Sequence, residues 1–185
     1  MKGYIVTIDS LNTLNQTLIV ENKTVRSDLK VVRGKNEELQ KVNTGLSDQV
    51  VKAQRLKAIN ISSYGVRIKS DNTGKPTDKA KKSEKIRTCF TISENLLSIA
   101  GTKEIYMRIL TPDGQILSEG TGDQYRFTFN GVRGLYSGKK PLNYQNKETD
   151  MCLDWVVTSE LPIGEYVVEL FCEEADIGKT KFTLR

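Results

Sequence analysis

Residues 4–53 carry apolar side chains at alternating spacings of three and four. With d placed at Tyr4 and a at Ile8, the d positions run Tyr4, Leu11, Leu18, Val25, Val32, Leu39, Leu46 and Ala53. The a positions are Ile8, Asn15, Asn22, Leu29, Asn36, Asn43 and Val50. A heptad kept this long predicts a helix with one narrow apolar seam. A second helix must cover that seam. Asparagine at a is unfavourable in a dry interface, yet across a parallel two-stranded coil it can pair with its own copy and fix register. The flanks agree with that arrangement, with an antiparallel or higher oligomer and a lone helix as the alternatives. Glu21 with Arg26 and Asp28 with Arg33 fall at g and the following e, as opposite charges, and Leu14 with Ile19 falls there as an apolar pair. Each exposed ion pair contributes only ~0.5 kcal/mol, so the charges bias orientation more than they hold the dimer together. Gly34 and Gly45 lie outside the seam and weaken the helix by about 1 kcal/mol each. The heptads begin almost at residue 1 with no N-cap residue in evidence, which leads us to expect further coiled coil upstream in the natural protein.

The period changes to two after residue 57. Ile59 and Ile61, then Val66 and Ile68, predict one or two strands with a break near Gly65. Residues 69–85 are polar, with Gly and Pro and no apolar period, and predict a loop. KIRTCFTIS follows as a strand, with Ile86, Phe90 and Ile92 on one face and Arg87, Cys89 and Thr91 on the other. EIYMRIL, the turn Pro112-Asp113-Gly114 and QIL predict strand, turn, strand. QYRFTFNG alternates as a further strand. Residues 131–147 predict a long loop. DMCLDWVV turns Met151, Leu153, Trp155 and Val157 inward, and EYVVELF, ADIG and KTKFTLR predict a closing hairpin. Seven or eight turn-punctuated strands without a crossover helix predict an antiparallel, immunoglobulin-like β-sandwich. The expected architecture is thus a coiled-coil stalk over residues 1–57 and a β-sandwich over residues 58–185.

Composition narrows the chemistry. The chain has no histidine, which removes Ser-His-Asp and Cys-His nucleophile pairs and imidazole acid–base chemistry. No carboxylates are spaced as an acid–base pair, so no enzyme and no cofactor is expected. Cys89, Cys152 and Cys172 form no metal spacing and no immunoglobulin Cys–Trp–Cys pattern. Cys89 falls on a polar face by alternation, so reduced cysteines are expected, with a Cys89–Cys152 cross-strand bridge as the alternative. The net charge of +5 divides into +4 over residues 1–57 and +1 over the remainder. That is too weak and too spread to imply nucleic acid. No apolar run is long enough to span a bilayer.

Two segments remain as candidate contact regions. Residues 69–87 hold seven basic residues, namely Lys69, Lys75, Lys79, Lys81, Lys82, Lys85 and Arg87, against three acids. This segment reads either as an anion-facing loop or as a solvated one. In the loop at 131–147, Arg133, Tyr136, Lys139, Lys140 and Tyr144 are candidate contacts for a protein or glycan partner. Equally, its tyrosines can pack the loop down.

The wording of IVTIDSLNTLNQ, LKAINI, KIRTCFTISEN, YMRILTPDGQIL and SELPIGEYVVELF resembles a group of uncharacterised Bacteroidota proteins. These are similar to membrane-tethered coiled coils that end in a β-sandwich, and some carry a chromosome-partitioning label. The resemblance covers nearly the whole chain and implies a soluble part on the periplasmic side of the cell envelope, with the cytoplasm as the alternative. It brings no catalytic residue with it. The chain has no GxxxxGKT phosphate loop, as a partitioning ATPase would need. The resulting expectation is a homodimeric, non-catalytic structural protein of the cell envelope that displays two sandwich heads. Alternatives are a carbohydrate- or peptide-binding module using residues 131–147 and, behind it, a chromosome segregation factor.

Overall fold

The structure is a computed structural model that describes residues 2–70 and 72–185, with side-chain surroundings in the first helix from Thr7 onward. Tyr4, the first expected d position, and Asp71, one of the three acids of the basic segment, lie outside the described side chains. The chain divides into two compact units, one ending at Val50 and the other Val51–Arg185.

The first unit is made by helix α1, Lys2–Ala53, which runs unbroken for 52 residues. At 1.5 Å per residue it is about 78 Å long. Neither Gly34 nor Gly45 interrupts it, and nothing lies within 4 Å of where their side chains would begin. No helix of the described residues is long and apolar enough to cross a membrane.

The second unit begins ahead of the expected boundary at 57/58, because Leu56 is buried in the sandwich core. Ten strands follow among the described residues: β1 Ala58–Ile68, β2 Gly74–Thr77, β3 Lys85–Ile92, β4 Gly101–Leu110, β5 Arg126–Phe129, β6 Val132–Leu135, β7 Gly138–Tyr144, β8 Thr149–Val156, β9 Gly164–Cys172 and β10 Ala175–Leu184. Eight of them form two antiparallel sheets, in the orders β2-β1-β3-β8 and β10-β9-β4-β7. The chain crosses between the sheets from β3 to β4 and from β8 to β9, as the B–C and E–F connections of an immunoglobulin-like sandwich do. Ile86, Phe90, Leu153 and Trp155 from the first sheet meet Ile105, Met107, Tyr166 and Leu170 from the second in one core.

Several expectations change in detail. The break in β1 is not at Gly65 but at a bulge between Ile59 and Ser62, where Asn60 takes a positive φ of 52°. The expected loop at 69–85 contains β2 and a short 3-10 turn, Ala80–Lys82. The QIL segment makes only one bridge, Leu110 to Ile116. The last hairpin turns at Glu173-Glu174, both at positive φ, and not at ADIG. Ala175 and Ile177 are buried, so that tetrapeptide belongs to β10.

The cysteines also depart from the expected reduced state. Cys89 and Cys152 form a disulfide, their Cα atoms 4.0 Å apart. Alternation does put Cys89 on the outer face, but β3 and β8 pair in a register that sets Cys152 directly opposite on that face. The neighbouring outward pairs are Arg87 with Asp154 and Thr91 with Asp150. Arg87 grips Asp154 through two bonds of 2.6 and 2.7 Å. That hydrogen bonding holds the Asp154 carboxyl below its ordinary pKa and lifts the guanidinium above its own. An ion pair, a disulfide and a hydrogen bond thus form three consecutive rungs across one strand pair. Cys172 is free and buried, and desolvation pushes its thiol up to about 11. Since the thiolate is the reactive form, the folded chain should resist alkylation at neutral pH. In denaturant without reductant one thiol per chain should label, and with reductant all three. Reduction should lower stability by roughly 2–4 kcal/mol, because an unbridged unfolded chain has more freedom. Three thiols labelling before reduction would contradict the bridge.

Candidate functional site

In α1 the apolar a and d side chains from Ile8 to Val50 are exposed: Ile8, Leu11, Leu18, Val25, Leu29, Val32, Leu39, Leu46 and Val50 are between 45% and 62% accessible. Their helical spacing sets them on one stripe. Asn15, Asn22, Asn36 and Asn43 are exposed as well. The Asn22 amide bonds back to the Leu18 carbonyl at 3.2 Å, a contact within the same helix. The stripe is uncovered apolar surface interrupted by polar side chains at regular intervals.

In the second unit the expected loop at 131–147 is mostly strand. β6 pairs with β5 across Asn130-Gly131, both at positive φ, which is the two-residue hairpin that Asn-Gly favours. That dipeptide was the signal that could have found β6. β7 then joins the main sheet beside β4. Its alternation puts Leu142 and Tyr144 inward and Lys139 and Asn143 outward, a pattern masked in the sequence by flanking glycine, proline and lysine.

The five candidate contacts therefore separate. Tyr144 is not a surface residue: it is fully buried in the core. Its hydroxyl accepts the Asn95 N–H at 2.7 Å and donates to the Ser93 carbonyl at 3.0 Å. Asn95 in turn donates to the carbonyls of Ala53 and Arg55, at 2.8 and 3.1 Å. Asn146 donates to the Asn95 carbonyl at 2.8 Å. Tyr144 thus anchors the joint between residues 53–55 and the sandwich. Arg133 projects from β6 and sits 3.5 Å from Asp123. Tyr136 is half-buried; its ring meets Tyr106 edge-on at 5.4 Å and its hydroxyl donates to the Gln124 carbonyl at 2.8 Å.

Tyr136, Lys139 and Lys140 do come together, in an open cleft of about 420 Å³ that Glu119, Tyr125 and Asp154 also line. Lys140 donates to the Cys152 carbonyl at 3.3 Å. Lys139 lies 3.2 Å from Glu104, which accepts the Tyr106 hydroxyl. Burial, and then that bond to Glu104, push the Tyr106 phenol up to about 12, so it stays protonated and serves as a donor. Beneath the cleft an aromatic cluster packs Tyr106 flat on Phe127 at 4.6 Å and Phe127 edge-on to Phe171 at 5.3 Å. Tyr136 is therefore partly a packing residue. Its exposed rim, with the two lysines, is a small polar recess suited to hydrogen bonding and charge pairing.

The family described as Domain of unknown function (DUF8428) matches residues 59–185, and the one described as Coiled-coil region of unknown function (DUF8429) matches residues 1–44. No curated protein matches the chain. Among solved structures, an alkylpurine DNA glycosylase from Pseudomonas fluorescens bound to DNA containing an abasic site analog is similar at 14% identity and a TM-score of 0.38, over 70% of this chain and 30% of that one. A β-glucosidase from Kluyveromyces marxianus is similar at 12% identity and a TM-score of 0.38, over 71% of this chain and 14% of that one. An immunoglobulin-like protein from Pseudomonas aeruginosa is similar at 17% identity and a TM-score of 0.36, over 71% of this chain and 97% of that one. The chain spans less than a third of the first two.

Proposed function

We propose that this chain, which belongs to the DUF8428 family, is a non-catalytic display protein of the cell envelope. Two copies zip in parallel through α1 and present two immunoglobulin-like heads to one partner or to a repetitive surface. The observation that carries the reading is the stripe of nine apolar a and d side chains from Ile8 to Val50, all exposed in the single chain. An isolated amphipathic helix gains little by keeping such a stripe in water; a partner helix supplies the packing that stabilises it. The DUF8429 match over residues 1–44 supports a coiled coil there. The asparagines at a favour a mate in the same register and direction. The Cys89–Cys152 disulfide favours an oxidising compartment, which in a bacterium lies outside the cytoplasm. Two linked heads then gain affinity for a two-fold or repeated partner by effective concentration alone.

Sedimentation of the full chain together with oxidation of Leu18→Cys tests this. With Cys89 and Cys152 bridged and Cys172 buried, the new thiol is the reactive one. A parallel, in-register dimer brings it face to face with its copy and yields a covalent dimer. A single-chain particle at high concentration, or a dimer that fails to cross-link at this d position, sinks the proposal.

The cleft at Tyr136, Lys139 and Lys140 supports a second reading, a glycan- or peptide-binding head. Tyr136→Ala would abolish ligand binding in that case and leave the dimer intact.

A further inference from the structure

Part of the basic segment and two distant strands build a groove on the other side of the second unit. Its volume is about 570 Å³, and Arg67, Lys75, Lys79 and Lys82 line it with Tyr64 and Phe182. Arg67 on β1 stands in register with Lys75 on β2, so these two cations leave the same face of neighbouring strands. Lys79 and Lys82 flank them on a segment that is fixed in place. The Lys79 N–H donates to the Thr77 hydroxyl at 3.2 Å, and the Ser83 hydroxyl donates to the Lys79 carbonyl at 3.0 Å. Two backbone bonds, Ala80 N–H to the Arg185 carbonyl at 2.8 Å and Arg185 N–H to the Asp78 carbonyl at 2.6 Å, tie the same segment to the end of β10. Gly65 lets the walls close: a Cβ there would lie 2.2 Å from the Ser83 hydroxyl and 2.8 Å from the Thr77 carbonyl.

Cations outnumber acids along this groove. Among the described residues no carboxylate pairs with Arg67, Lys75, Lys79 or Lys82. The acid that lines it, Asp78, is engaged at 3.1 Å by Arg185. Four like charges held together on ordered backbone repel one another, and a multivalent anion relieves that repulsion without first having to order the site.

Two classes of anion fit poorly. A lipid surface needs apolar side chains beside the cations, but the most exposed ones of the second unit, Leu96, Leu97, Ile99 and Ile163, lie on other loops and none lines the groove. An acidic peptide adding a strand to the β2 edge would meet Pro76 mid-strand, where a backbone donor is missing. The walls instead offer hydroxyls at Thr77 and Thr183 and aromatic surface at Tyr64 and Phe182. Such walls suit a chain of sugar rings.

We propose that this groove binds an anionic polysaccharide, seating its carboxylate or sulfate groups on Arg67, Lys75, Lys79 and Lys82. The site is separate from both the seam and the Tyr136 cleft, so it holds whether or not the chain dimerises. The test titrates the full chain with labelled oligogalacturonate, dextran sulfate and neutral dextran. One or both anionic polymers should bind, with affinity falling steeply as salt is added. Neutral dextran should not bind. Lys75→Glu with Lys79→Glu should weaken binding by at least about tenfold. The charge-matched control Lys81→Glu with Lys147→Glu changes the net charge equally but should leave binding within about twofold, since neither lysine lines the groove. Arg67→Gln with Lys82→Gln gives a second reading should the first variant melt early. Equal losses in the groove and control variants overturn the proposal. So does binding of neutral dextran. Retention of polyglutamate or of phosphatidylglycerol vesicles through the same residues, with neither polysaccharide bound, also overturns it.

Discussion

Leu29→Asp combined with Leu39→Asp is expected to leave the chain monomeric at micromolar concentration, while Val20→Asp leaves its assembly unchanged. All three side chains are exposed in the single chain, at 49%, 62% and 63%. Burial in one copy therefore does not distinguish them, and only the heptad does. Leu29 and Leu39 occupy a and d, whereas Val20 falls at f, on the far side of the helix. Leucine truncation in a packed site costs roughly 2–5 kcal/mol, and a dimer carries each change twice. A buried, unpaired carboxylate is worse still. The expected loss thus exceeds 1.4 kcal/mol, the equivalent of tenfold in dissociation constant, several times over. The asparagines give the complementary test. Asn22→Val with Asn36→Val should raise stability while allowing trimers or shifted registers, because the polar rungs that select two strands are gone. Sedimentation equilibrium reads both results. If Val20→Asp and the Leu29/Leu39 pair dissociate the particle equally, the seam is not where the copies meet.

What could be read beforehand follows the range of the physics involved. The first 53 residues repeat a short local pattern many times, so α1 and its stripe are plain from spacing alone. Single strands with clean alternation, such as β3 and β8, were equally plain: Ile86, Phe90, Ile92, Met151, Leu153 and Trp155 are buried as the pattern requires. β7 was hidden because a strand needs only Leu142 and Tyr144 inward, and its remaining positions are filled by lysine, proline and asparagine. The disulfide was hidden for a different reason. Alternation gives the face of each cysteine but not the register between strands, and the register decides whether Cys89 meets Cys152 or a neighbour. The anion groove lies between these cases. Its lysines stand out as a basic run, yet Arg67 and Phe182 reach it from strands far apart in the chain, and no local pattern announces that meeting.

Tyr144 shows how a partner-binding reading and a packing reading part company in one measurement. Tyr144→Ala is expected to destabilise the second unit by about 3–5 kcal/mol, the range for removing a large aromatic side chain from a core. That is a sizeable share of the stability of an ordinary domain. The side chain is fully buried, and its hydroxyl is held by the Asn95 N–H and the Ser93 carbonyl. Tyr144→Phe keeps the ring and deletes only the hydroxyl. It leaves two backbone groups short of a partner and should cost about 1–3 kcal/mol. Asn95→Ala keeps the backbone N–H that reaches the Tyr144 hydroxyl but strips the carbonyls of Ala53 and Arg55 of their side-chain donor, so it should carry a separate loss of about 1–3 kcal/mol. Because both changes remove bonds that hold residue 95, one through its backbone N–H and the other through its side chain, the double variant should fall short of the sum of the two. Urea unfolding of the four variants beside the parent gives the ordering directly. A Tyr144→Ala chain as stable as the parent would return this residue to the surface and to the list of partner contacts. Additive losses in the double variant would instead uncouple the ring from the joint.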